Sequence, residues 1–195
     1  FVGDNLSYVW QYGRHNMSDV DQGRGFNWSS VEQDGNYNAS TVDQARGINI
    51  SDVRQVGNGN TSTVNQRRGF INNSDVNQFG NGNTSTNIQR RGNNESYVYQ
   101  RNHGSVADGN TSTVTQLRGN NNVSEVFQIG ENNTNSVLQE GPWVDNFSSI
   151  VQFGANNSNM LHQSGTFGSN SNIVTQIGSG NMSTATQVSG SYIFP

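Results

Sequence analysis

The chain has 195 residues, of which 30% are hydrophobic and only 12% charged, with a formal net charge of −4; its mean hydropathy is −0.76. Those values exclude a conventional aliphatic core, whose burial is the main favourable term in folding, and equally a charge-rich disordered tail. No apolar run approaches the roughly 18 residues of a membrane span, the absence of Cys removes disulfides and thiolate metal sites, and every Lys/Arg-type cation is Arg.

An internal repeat supplies the missing order. Sixteen glutamines recur from Gln11 to Gln187, most of them 11 residues apart, and no Gln lies outside the series. An Asn stands six residues before each one. Four residues before, most units carry Ser, with Asn135, Asn159 and Asn172 as exceptions; two residues before, most carry Val, with Asn87, Ile150, Leu161 and Ala185 as exceptions. In chain order the units begin with Asn5, Ser7, Val9, Gln11 and then Asn16, Ser18, Val20, Gln22. They pass through Asn60, Ser62, Val64, Gln66 and end with Asn181, Ser183, Ala185, Gln187. The period of two is the strand signature and puts all four side chains on one face. The alternate positions are chemically mixed, as in Leu6, Tyr8 and Trp10, so the Asn/Ser/Val/Gln face is the buried one.

Two turn types alternate after the strands. Gln11, Gln33, Gln55 and Gln78 lead into Q-x-G, whereas Gln22, Gln44, Gln66, Gln89 and Gln116 lead into Q-x-R-G. The rung is therefore two strands and 22 residues in its regular copies. Sixteen strands predict eight rungs, a stack of roughly 38 Å at ~4.8 Å per rung. The fold class is all-β, a two-strand-per-rung β-solenoid of cross-β, amyloid-like character. Stacked Asn and Gln form hydrogen-bonded amide ladders, and the missing Val at Asn87 predicts a weak point. The repeat domain covers residues 5–187, between an N-terminal tail of residues 1–4 and a C-terminal tail of residues 188–195. Longer turns are expected at Arg101–Gly109 and at Gly141-Pro142-Trp143.

The run Gln55-Val56-Gly57-Asn58-Gly59-Asn60-Thr61-Ser62-Thr63-Val64-Asn65-Gln66 resembles the curlin repeat, Q-x-G-x-G-N-x-A-x-x-x-Q, as do Gln78 to Gln89 and Gln176 to Gln187. The likeness to the curlin family extends over residues 5 to 187. This chain departs from the family in using Asn where strands often begin with Ser, and Ser where the repeat has Ala. The Gly-rich N-terminal secretion segment of the family is not seen, because the first strand starts at Asn5. The resemblance implies a secreted structural subunit of an extracellular functional amyloid fibre, of the curli kind, in the biofilm matrix. It also implies self-association into a homopolymer, a nucleator subunit and a dedicated secretion machinery. From the residues alone, neither end of the repeat domain resembles a cap, and exposed solenoid edges polymerise.

Other features carry sharper and plainer readings. Arg24, Arg46, Arg68, Arg91 and Arg118 occupy one turn position on successive even-numbered strands and should line one edge. They read either as a solvated edge that limits sideways aggregation or as a stripe for an anionic partner such as a matrix polysaccharide. Specific nucleic-acid binding is not expected from a chain of this charge. The outward pairs Thr61/Thr63, Thr84/Thr86 and Thr111/Thr113 resemble ice-binding arrays and give the alternative function, although Asp19 and Met160 interrupt the column. Outward Tyr8, Trp10, Trp28, Tyr97, Tyr99, Phe127 and Phe147 read as strand formers or lateral contacts. The N-x-S/T sequons fall on the inward face, leaving turn residues such as Asn132 as conceivable glycan sites. His15, His103 and His162 are far apart in the register and no carboxylate pair recurs, so no enzyme and no cofactor are expected.

Overall fold

In a computed structural model of the chain, residues 3–190 are described. Residues 1–2 and 191–195, which hold parts of both expected tails, lie outside them. The odd-numbered strands are β1 (Asn5–Arg14), β3 (Phe26–Asn36), β5 (Ile48–Asn58), β7 (Ile71–Phe79), β9 (Asn93–Arg101), β11 (Asn121–Glu131), β13 (Val144–Ala155) and β15 (Gly168–Ser179). The even-numbered ones are β2 (Met17–Gln22), β4 (Ala39–Ala45), β6 (Thr61–Arg67), β8 (Thr84–Arg90), β10 (Thr111–Leu117), β12 (Thr134–Glu140), β14 (Ser158–Gly165) and β16 (Met182–Ser189).

Each class forms one 8-stranded parallel sheet in chain order, β1 to β15 in one and β2 to β16 in the other. One odd and one even strand make a rung, so the protein is an all-β solenoid of eight rungs. The register is set by the repeat: Asn5 pairs with Asn27, Val9 with Val31 and Gln11 with Gln33, and the same identity-on-identity pairing continues along the stack. A slip by one residue would turn every amide outward and every mixed residue inward, which fixes the register strongly.

The corners account for the glycines. At the ends of the odd strands, Gly13, Gly35, Gly57 and Gly80 sit at φ between +99° and +119°. A Cβ on Gly57 would lie 2.0 Å from the carbonyl oxygen of Gly80, the next corner in the stack. Neither the conformation nor the space admits a side chain, so Q-x-G is a stacking requirement. The longer Arg101–Gly109 connection contains a 3-10 turn at Val106–Asp108, whose Ser105 and Asp108 hydrogen-bond each other. It folds over the corners of the preceding rungs, where Val106 packs against Gly59 and its carbonyl occupies the space a Cβ on Gly82 would need.

Candidate functional site

The interior is built from amides that work in three directions. In both sheets each Gln donates Nε2–H to the Oε1 of the Gln one rung further on, at 2.6–2.9 Å. From Gln22 onward, every Gln also donates to a backbone carbonyl of the opposite sheet at 2.7–3.0 Å, as Gln66 does to Ile50 O. The Gln row therefore ties rung to rung and sheet to sheet. In the odd sheet the Asn ladder runs the other way: each Asn donates Nδ2–H to the Oδ1 of the previous rung, from Asn27 to Asn5 up to Asn170 to Asn146, at 2.6–2.9 Å. In the even sheet the Oδ1 of each Asn accepts the backbone N–H of the next, at 3.0–3.2 Å.

A further ladder sits at the corner, where Asn36, Asn58, Asn81 and Asn102 accept the N–H of the residue one rung below. The sequence signal for it is the Asn that follows Q-x-G at Asn36, Asn58 and Asn81.

The serine row behaves differently from the amides. Ser148 donates to Ser124 at 3.1 Å, but the hydroxyls of Ser18, Ser29, Ser40, Ser51, Ser62, Ser85 and Ser96 are buried without a hydrogen-bond partner. In those rungs the hydroxyl stacks without bonding, whereas Ser74 and Ser112 accept from Asn87 and Asn135. The valines form the dry part of the core. Val31, Val42, Val53, Val64 and Val76 make one cluster, and Val98, Val114 and Val126 a second. Asn87 stands between them, fully buried, with Nδ2 on the Ser74 hydroxyl at 2.8 Å and Oδ1 unpartnered. The expected weak point is therefore a break in the apolar row.

Both ends of the stack are open among the described residues. Val9 is 45% exposed, whereas its counterparts from Val42 to Val126 are at 0%. At the far end a cleft of about 480 Å³ opens beside Val174, Gln176 and Ser183. Because the ladders are directional, the two ends present opposite groups. The C-terminal rung offers Nε2–H of Gln176 and Gln187 and the acceptors Oδ1 of Asn170 and Asn181, while the N-terminal rung offers Oε1 of Gln11 and Gln22 and the donors Nδ2 of Asn5 and backbone N–H of Asn16. Donor would meet acceptor in both Gln rows and both inward Asn rows if one end were laid on the other. The corner follows suit: a Cβ on Gly154 would lie 1.9 Å from Gly178 O, but one on Gly178 meets only Asn181 Nδ2, at 3.7 Å.

On the outside, the Arg edge closes into a groove of about 730 Å³ along the even sheet. Arg46, Arg68, Arg91 and Arg118 line it, Arg24 does not, and Arg67 and Arg90 join as a second column. The doublets Arg67-Arg68 and Arg90-Arg91 were the available sequence sign of that second column. Asp21 and Asp43 pair in register, and Asp43 is held by Arg67 and by Asn65. Outward Thr61, Thr84, Thr111 and Thr134 stack in one column, and Thr41, Thr63, Thr86 and Thr113 in the next. On the odd sheet Phe79, Tyr99, Phe127 and Tyr97 form a chain of ring contacts at 5.3–6.1 Å. His15 stacks on Tyr37, and His162 lies 3.1 Å from Glu140. The sequon asparagines of the inner rungs are buried in the ladders, whereas Asn132 is exposed at its turn. No group of three or more metal-ligating side chains occurs among the described residues. No family model, curated protein or solved structure matches this chain.

Proposed function

We propose that the protein is the structural subunit of an extracellular fibre of curli-like functional amyloid, growing head to tail through its open solenoid ends and serving matrix cohesion and adhesion. The carrying observation is the complementarity of the two ends, donors facing acceptors in the Gln and Asn rows. Joining them continues the inward Gln and Asn ladders and adds on the order of ten backbone hydrogen bonds at about 1 kcal/mol each. That is comparable with the roughly 4–15 kcal/mol cost of association, before Val9 and Val174 are covered. A contact of this head-to-tail kind, without rotation that closes a ring, yields a filament. Secretion, a nucleating subunit and an export machinery belong to the same proposal through the curlin resemblance.

The Gly178 corner provides the test. Gly178→Ala strains the corner, since Gly178 sits at φ +105°, and adds a Cβ that meets only Asn181 Nδ2, at 3.7 Å, in the single subunit but would be directed at the carbonyl of an incoming Gly13, as Gly154 is directed at Gly178. We expect Gly178→Ala to keep the β circular dichroism spectrum and to stop seeded growth. Gly180→Asn, which places at the corner the residue found at Asn132 and Asn156, should grow normally. Wild-type fibres should show a ~4.8 Å axial repeat. Unimpaired growth of Gly178→Ala would refute the head-to-tail junction.

The in-register Thr columns support a second reading, ice binding by the even sheet. Thermal hysteresis of the soluble chain, abolished by Thr86→Leu, is the outcome that would favour it over fibre growth.

A further inference from the structure

The arginine groove holds its cations apart from the two open ends of the stack. Six arginines (Arg46, Arg67, Arg68, Arg90, Arg91, Arg118) and three carboxylates (Asp21, Asp43, Glu140) line it. That is a surplus of three positive charges, so with a chain total of −4 the remainder carries −7. Positive charge is thus concentrated at one edge of an otherwise acidic protein. Among the described residues, only Arg67 of the six is committed to an ion pair, with Asp43; the other five make neither an ion pair nor a side-chain hydrogen bond there.

The backbone adds an independent observation. Arg46, Arg68, Arg91 and Arg118 all sit in the left-handed region, at φ 56–61°. A residue with a Cβ adopts that conformation at a cost that Gly and Asn largely avoid. The corner on the opposite edge takes the cheaper course: its left-handed position holds Gly59, Gly82, Asn132, Asn156 and Gly180 beside His15 and Tyr37. The two edges meet the same backbone demand with different residues. At the arginine edge, four cations are stacked rung upon rung against both their conformational cost and their mutual repulsion. A merely solvated edge needs neither, since Gly or Asn at that position avoids both penalties.

We propose that this groove binds an extended, carboxylate-bearing polysaccharide lying parallel to the solenoid axis, at about one sugar per rung. A linear 1,4-linked polyuronate carries one carboxylate per sugar, and each rung from Arg46 to Arg118, at the ~4.8 Å spacing of neighbouring strands, presents at least one Arg to it. Arg recognises carboxylate through a planar two-pronged fork and is less strongly hydrated than an ammonium group, which fits the use of Arg and not Lys. Asp21 and Asp43 at one end and Glu140 at the other limit the cationic stretch to the rungs of Arg46 to Arg118. Single-stranded nucleic acid fits less well, because no aromatic side chain lines the groove to stack a base. The groove is complete within one subunit, so the proposal goes beyond polymerisation and does not depend on it.

The test is fluorescence anisotropy of the full chain with labelled oligogalacturonate, its fully methyl-esterified counterpart, and single-stranded DNA of equal charge. The acid form should bind, more weakly as salt rises through about 0.15 M, and the ester should bind at least about tenfold more weakly. The triple variant Arg68→Gln, Arg91→Gln, Arg118→Gln should lose about tenfold in affinity for the acid with an unchanged circular dichroism spectrum. Arg54→Gln, on the other sheet, should bind as wild type. Arg91→Gly alone should not lower thermal stability, which separates a recognition role from a structural one. Absence of binding, equal binding of the ester, an unaffected triple variant, or DNA binding as tight as the acid would each overturn the proposal. Failure of Gly178→Ala to block growth would leave it standing.

Discussion

A buried glutamine in this protein holds three groups at once. Gln66 accepts from Gln44, donates to Gln89 and donates across the sheet gap to Ile50 O. Gln66→Leu keeps the volume but orphans all three partners in a region closed to water, at about 1–3 kcal/mol each. We expect a loss of at least about 3 kcal/mol, measured as a fall in the urea midpoint of the monomer. Ser62→Ala sits on the same face and should do the opposite. Its hydroxyl is buried without a partner, so removing it is neutral or stabilising by up to about 1 kcal/mol. Asn87→Val restores the apolar row between two valine clusters and removes an unpartnered Oδ1, at the cost of one bond to Ser74. The expected gain is about 1–2 kcal/mol with an unchanged m-value. A loss of stability would show that the Ser74 bond outweighs the packing.

Along a sheet, the outward columns bring side chains of successive rungs together, and this is where charge matters. Asp52 and Asp75 are neighbours in register on the odd sheet. Desolvation holds the Asp75 carboxyl above its ordinary value of 3.8, and the Asp52 charge adds to the rise. Desolvation also raises Asp52, against a hydrogen bond from Ser30. A raised carboxylate penalises the folded state above its folded pKa, and the penalty is relieved as pH falls through that value. Asp75→Asn keeps an acceptor for Asn77 and should be more stable than wild type at neutral pH. That advantage should shrink on acidification and vanish below the unfolded value. An advantage that persists at low pH would assign the effect to packing instead. The strands, the inward face and the rung period were legible from Gln, Asn, Ser and Val because spacing alone decides which residues share a face. Direction was not legible: an amide ladder satisfies the same spacing with Nε2 pointing up or down. Nor could spacing reveal that the second Gln hydrogen crosses to the other sheet, or that Arg67 and Arg90 turn an edge into a groove. The first follows from how closely the two sheets approach, the second from where the outward side chains of successive rungs settle, and no one-dimensional period contains either.

At the scale of the whole molecule, charge is distributed unevenly along the axis, which bears on the proposed head-to-tail addition. After Asp145 no Asp, Glu or Arg occurs, so β15 and β16 present an uncharged C-terminal end. The N-terminal rung carries Asp19 and Asp21 on β2. Head-to-tail addition lays these on Thr184 and Thr186, given the register in which β14 pairs with β16 and β2 with β4. Head-to-head addition would instead bring aspartates together and set donor against donor in the ladders. Seeded elongation should therefore vary by less than about threefold as salt rises from about 0.05 to 0.5 M, over which the Debye length contracts severalfold. Polyuronate binding at the arginine groove should weaken steeply over the same range. Asp19→Lys and Asp21→Lys should elongate at near the wild-type rate, because their new neighbours stay neutral. Introducing Asp at Thr184 and Thr186 together should slow growth, through repulsion of about 1 kcal/mol per close pair in water, and high salt should restore it. Strongly salt-dependent wild-type elongation, or normal growth of the Thr184→Asp, Thr186→Asp variant at low salt, would place the junction elsewhere on the molecule.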